Sequence, residues 1–217
     1  MDQIFNLDNK FFRGVTKIID CVWVSVLWFV CSIPLFTIGA STTALYYTVN
    51  KCLRYDRGYV SSEFFSAFKS NFKQSTIVWL ILVVIYAILG FDYYVMKQFA
   101  EAGEKIGQLY IIFFVFAVIV SMWAFYVFPY MARFANTTKN VFKVTLYMAI
   151  SNVHWTIILT VLFIAMCLGI YLFPPVAIVM PALYNLLKNI ALEHVFKKFM
   201  SPEDIAAEEE RNRNFYN

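Results

Sequence analysis

Apolar residues fall along this chain in unbroken blocks, without the ten-residue alternation of a barrel strand. Four blocks, residues 15 to 36, 75 to 96, 109 to 132 and 155 to 173, approach or exceed the ~18 residues needed to cross a hydrocarbon layer of ~30 Å as a helix. Two more are short. Residues 41 to 53 would rise only roughly 20 Å at 1.5 Å per residue, and residues 176 to 192 carry Asn185, Lys188 and Asn189 toward their end. Inside hydrocarbon a chain must satisfy its own backbone groups, and continuous runs do that as helices.

Charge placement decides whether the short blocks count as crossings, because basic residues concentrate in cytoplasmic loops. Lys10, Arg13 and Lys17 precede the first block, and Lys51, Arg54, Arg57, Lys69 and Lys73 precede the block at residue 75. If both clusters are inside, residues 18 to 53 form a hairpin that turns at 33 to 41. The same rule places Arg133, Lys139 and Lys143 inside after the next pair, and Lys188, Lys197, Lys198, Arg211 and Arg213 inside after the last. Lys97 and Lys105 share an outer loop with Glu101 and Glu104, which neutralise them. The pattern predicts an all-α, polytopic membrane protein of about six transmembrane helices with both termini in the cytoplasm. Residues 1 to 200 form a single helical membrane domain and residues 201 to 217 a polar cytoplasmic tail.

Between the spans, residues 60 to 74 place Phe64, Phe65, Phe68 and Phe72 on one helical face, with Lys69 and Lys73 among polar residues elsewhere. That is an amphipathic cytoplasmic helix suited to the membrane surface or to a partner. Ser61 or Ser62 is placed to cap it, with Glu63 in its first turn. Residues 137 to 150 predict a second such helix. In the tail, Ser201 and Pro202 mark the start of a short solvated one.

Composition agrees: 61% of residues are hydrophobic and only 15% charged, too few for a water-soluble surface. A net charge of +4 gives no reason to expect a nucleic-acid partner. The four cysteines, Cys21, Cys31, Cys52 and Cys167, form no CxxC pair and read as packing residues. Asp20, Asp92, His154 and His194 lie near predicted span ends, with Lys17 one turn from Asp20 as a natural pair. Intramembrane catalysis needs converging groups such as paired Asp or a Ser with a base. The sequence shows no such set, so no catalytic residue, metal or cofactor is expected.

Two interrupted hairpins carry the remaining polar signal. The first passes through Pro34, Thr37, Gly39, Ser41 and Thr42 into Ala44-Leu45-Tyr46; the last passes Pro174, Pro175 and Pro181 into Ala182-Leu183-Tyr184. Short, Pro/Gly-broken segments in two halves are a mark of transporter binding sites, and they are equally the mark of a tight helical turn whose hydroxyls satisfy freed backbone groups.

The residues Leu27-Trp28, Ser32-Ile33-Pro34-Leu35-Phe36-Thr37-Ile38-Gly39-Ala40, Thr43-Ala44-Leu45-Tyr46-Tyr47, the run from Phe64 to Thr76 and Phe128-Pro129-Tyr130-Met131-Ala132-Arg133-Phe134 resemble the YesL family of bacterial membrane proteins. The resemblance implies a multi-pass protein of the cell membrane. It also implies an accessory role beside sugar-import systems of the ATP-binding-cassette type, whose subunits would be partners alongside the lipid bilayer. The leading expectation is thus a non-enzymatic membrane accessory protein, and the alternative a small transporter or channel with its pathway between the interrupted hairpins.

Overall fold

A computed structural model describes residues 10–213; the side chains at 10–13, 209 and 211–213 are outside that description, so the predicted roles of Lys10, Arg13, Arg211 and Arg213 lie outside the described residues. Among the described residues every regular element is helical: α1 (Lys10–Ser32), α2 (Ile38–Thr48), α3 (Val60–Glu101), α4 (Tyr110–Arg133), α5 (Thr138–Ser151), α6 (Val153–Leu172), α7 (Met180–Lys197) and α8 (Pro202–Arg213). The chain is an all-α polytopic membrane protein. Four helical segments are long and apolar enough to cross a membrane, Gly14–Ser32, Val60–Glu101, Lys105–Arg133 and Val153–Leu172.

The short blocks take a different form from the long ones. The block at 41 to 53 becomes α2, prolonged by a π turn, Val49–Arg54, and it is buried on nearly every side. Gly39, Ala40, Ser41, Thr43, Ala44, Leu45, Tyr46 and Thr48 are all inaccessible, as expected of a helix enclosed by others. The block at 176 to 192 becomes α7, which shows an exposed stripe at Leu183, Leu187, Ile190, His194 and Lys197. That stripe changes from aliphatic to polar after Ile190.

The amphipathic helix and the span after it are one element. At 42 residues α3 is about 63 Å long, twice a hydrocarbon layer of ~30 Å, so it crosses and extends beyond it. Its start differs from expectation: Tyr59 is the N-cap residue, with no side-chain cap. Ser61 instead accepts a hydrogen bond from Trp23 Nε1 at 2.7 Å, tying α3 to α1. The first half of α3 contributes Phe64 and Ala67 to a core with Val24, Leu45, Leu53 and Ala182. Its middle contributes Val78 and Leu82 to another with Tyr126, Leu159, Leu192 and Phe196. α3 and α7 therefore join two cores, with α2 between them: Leu45 faces one and Tyr46 the other.

The two hairpins share a plan. Each long apolar helix, α1 or α6, meets proline, makes one short 3-10 turn, Leu35–Thr37 or Pro174–Ile178, and returns as a largely buried helix. They also touch: the Ala182 amide, one of the first-turn donors that α7 itself cannot satisfy, gives its hydrogen to Ser25 Oγ of α1 at 3.1 Å.

Candidate functional site

The residues singled out in the first hairpin do come together, but they face one another. Thr37 Oγ1 donates to the carbonyls of Cys31 and Pro34 at 2.5 and 2.6 Å, holding the end of α1 against the turn. Ser41 and Ser32 share a hydrogen bond of 2.7 Å, and Trp28 Nε1 donates to Thr42 Oγ1 at 3.2 Å. Thr43 bonds both the Gly39 carbonyl and Ser75 of α3, at 2.9 and 3.0 Å. A Cβ on Gly39 would lie 2.5 Å from the Ser75 carbonyl oxygen and 2.7 Å from Trp79 Cβ, so the glycine lets α2 sit directly on α3. Only Pro34 is exposed. These hydroxyls and this glycine build a joint.

The aromatic face of α3 is likewise divided. Phe64 is fully buried and Phe68 packs against it with ring centroids 6.3 Å apart, whereas Phe65 and Phe72 are 42% and 36% exposed. The four rings expected on one free face thus serve two purposes. The pair that stays outside shares its side with Lys69 and Lys73, also exposed.

Polar groups gather instead along α7. Asn185, Lys188, Asn189 and Glu193 are each at most 5% exposed. Lys188, read from charge placement as a cytoplasmic loop residue, is a buried side chain at the depth of Leu187 and Ile190. Its ammonium lies 5.7 Å from the Phe125 ring and 5.6 Å from the Tyr184 ring. No carboxylate pairs with it among the described residues. The Tyr184 hydroxyl and the Asn185 and Asn189 side-chain oxygens are buried and have no hydrogen-bond partner there either.

At the C-terminal end of α7 the charges are paired. Glu193, 2% exposed, lies 3.1 Å from Arg133 Nη2 and accepts from Asn50 Nδ2 at 3.4 Å. The same Arg133 Nη2 also holds Glu208 of α8, so one guanidinium joins α4, α7 and the tail. The tail helix starts as expected, with the Asp204 amide on Ser201 Oγ at 3.1 Å. It does not stand wholly in solvent, because Glu208 is buried. Beside this cluster is a cavity of about 590 Å³ bordered by the π turn, the end of α4 and α8. Lys51 stands on its wall, paired with Glu63 at 2.7 Å. π turns are rare and concentrate at functional sites; this one carries Asn50 and Lys51 to the cavity.

The other candidates do not converge. Lys17 pairs with Asp56 at 3.0 Å rather than with Asp20. His154 and His194 both lie against Trp155, with centroids at 5.6 and 5.5 Å, and Asp92 is half-buried near the far end of α3. All four cysteines are free thiols. The sequence signals of the cavity were present but weak: Arg133 looks like a charge that sets topology, and Glu193 is a single acid at the end of an apolar run.

Residues 21–93 match a family described as "Protein of unknown function, DUF624". The match begins within α1, takes in α2 and ends in the second half of α3, so it covers the first hairpin and its seat but not α7. No curated protein and no solved structure matches the chain.

Proposed function

We propose that this is a cell-membrane protein with both termini in the cytoplasm that acts without chemistry of its own, as an accessory subunit that binds a larger membrane complex. The stretch that matches the family of unknown function also carries most of the resemblance to YesL proteins. On that resemblance the complex to test first is a carbohydrate importer of the ATP-binding-cassette type.

The observation that carries this reading is the outer side of α3. Phe64 and Ala67 lock one side of the half-helix into the core, while Phe65 and Phe72 remain exposed beside Lys69 and Lys73. A rigid strip of aromatic and basic side chains suits a partner surface rich in apolar and acidic groups. The experiment is a mild-detergent pull-down of the tagged protein from cells grown on different sugars. A permease or its ATPase should co-purify, and Phe65→Glu with Phe72→Glu should lose it while membrane insertion is unchanged. Recovery of the protein alone under every condition overturns the reading.

A second reading, a small transporter, rests on a different observation: a lysine buried in the bundle without a carboxylate. Ionisable side chains at such depth commonly mark solute or ion paths. It requires flux in liposomes that contain this protein alone, lost in Lys188→Met. The absence of flux across a panel of sugars and ions would dismiss it.

A further inference from the structure

We propose that the cavity between the π turn, α4 and α8 is a binding site for a phosphate group, carried by a small molecule or by a lipid headgroup, and that Glu208 occupies its arginine until that phosphate displaces it. The volume of about 590 Å³ is that of a metabolite site. The charges on its wall divide by element. Lys51, Arg57 and Arg133 come from the body of the protein, whereas both acids that border it, Asp204 and Glu208, come from α8. The partners that hold Lys51 and Arg133 in place, Glu63 and Glu193, lie outside the lining. With α8 lifted, the described residues that line the cavity present bases and no acid.

Hydrogen-bonding capacity exceeds what Glu208 uses. Tyr46 is 1% exposed and borders the cavity, yet its hydroxyl has no partner among the described residues; the same holds for Arg133 Nε. Both are donors left over after Arg133 has met the Glu193 and Glu208 carboxylates. A phosphate monoester brings three terminal oxygens and about two negative charges, so it can take the Arg133 contact now made by Glu208 and the spare donors together. Glu208 on Arg133 therefore resembles the anion the site is built for.

α8 is also suited to leave. Of its described side chains only Glu208 is buried and Ile205 half-buried, while Pro202, Glu203, Asp204, Ala206, Ala207 and Glu210 are exposed. A helix whose described side chains are held by so few contacts opens at low cost. Displacement would free the tail and change the cytoplasmic surface, so ligand occupancy becomes visible to anything bound there. The inference does not depend on the partner reading, and its test contains this protein alone.

The test is calorimetric titration of inorganic phosphate into the full-length protein in phosphatidylcholine nanodiscs, repeated in nanodiscs containing phosphatidic acid, with bound lipid read by native mass spectrometry. Glu208→Gln should bind phosphate, or retain phosphatidic acid, about tenfold more tightly than the unchanged chain. Adding Arg133→Gln should abolish this. Because that change also strands Glu193, Tyr46→Phe in the Glu208→Gln background is the second variant: it removes only the hydroxyl and should weaken binding several-fold with the melting temperature unchanged. A response to phosphate assigns a soluble ligand, and a response only to phosphatidic acid assigns a headgroup. No binding of either, equal binding with and without the Glu208 charge, or indifference to Tyr46→Phe overturns the proposal.

Discussion

The two interrupted hairpins are built alike and finished differently. Each runs from a long apolar helix through proline and a 3-10 turn into Ala-Leu-Tyr on a buried helix, and four residues beyond the tyrosine stands a polar side chain, Asn50 in one and Lys188 in the other. In the first hairpin the hydroxyls around the turn are matched to neighbours, from Thr37 on the Cys31 carbonyl to Thr43 on Ser75. In the second, the Tyr184 hydroxyl and the Asn185 and Asn189 oxygens are buried without partners among the described residues, and Lys188 has only ring faces there. Buried polar atoms are ordinarily paired, and unpaired ones concentrate where structure gives way to use. The turn of the first hairpin is an anchor, while beyond it the Tyr46 hydroxyl and the Asn50 side-chain oxygen are also buried without partners among the described residues; the second hairpin adds a buried ammonium to such a reserve.

The sharpest way to break this contrast is at the C-terminal end of the second hairpin. Arg133→Met would leave Glu193, 2% exposed, without its cation, and stranding one member of a buried ion pair costs about 3 to 5 kcal/mol. That is a large part of the 5 to 15 kcal/mol that holds a typical domain together, so the variant should unfold at much lower temperature in lipid nanodiscs. Arg133→Met with Glu193→Met and Glu208→Gln should recover most of the loss, because no buried carboxylate is then left without its cation. Equal midpoints for Arg133→Met and the unchanged chain would show that the pair does not hold α7 in place.

A smaller effect separates the hairpins at their glycines. In Gly39→Ala the new methyl meets a backbone oxygen at 2.5 Å and Trp79 Cβ at 2.7 Å, neither of which is a movable tip, and overpacking of that kind costs about 1 to 3 kcal/mol. In Gly169→Ala, near the end of α6, the methyl meets only Met180 Cε at 3.0 Å, the flexible end of a side chain. There the strain is relieved by rotation, and alanine's higher helix propensity, about 1 kcal/mol over glycine, offsets what remains. Thermal unfolding should show Gly39→Ala well below the unchanged chain and Gly169→Ala level with it. Matching losses would mean that the second turn is seated as tightly as the first.

Much of this arrangement follows from period and charge alone. The helical class, the long blocks, the hairpin turning at Pro34 and the cap at Ser201 all appear in the structure where hydropathy and local chemistry put them. The fusion of the amphipathic helix with the following span was not legible, because nothing between Gln74 and Ile77 breaks or requires a break in a helix. The residues singled out in the first hairpin form a packed joint for a physical reason. Thr37, Gly39, Ser41 and Thr42 are conspicuous as small polar residues in an apolar run, and small residues are just what close helix contact needs. Lys188 looked like the basic end of a span, since a linear pattern does not tell a lysine facing lipid headgroups from one turned inward against Phe125. Arg133, Glu193 and Glu208 are far apart in sequence, and only the packing of α4, α7 and α8 brings them together.

The smallest predicted effect tests the reserve itself. On insertion scales a lysine at the centre of a membrane helix costs about 2.5 to 3.5 kcal/mol. Two aromatic faces return roughly 0.5 to 1 kcal/mol each, more where the cation is fully desolvated. Lys188→Met keeps the unbranched stem, removes the charge and leaves no carboxylate stranded, since none among the described residues pairs with it. The variant should therefore be more stable than the unchanged chain by about 1 kcal/mol, seen as a rise of a few degrees in the unfolding midpoint. A change that stabilises while removing a buried charge means the charge is kept for something other than folding. A fall in the midpoint would mean that Lys188 is held by contacts stronger than its two rings, and its charge would then serve folding rather than stand in reserve.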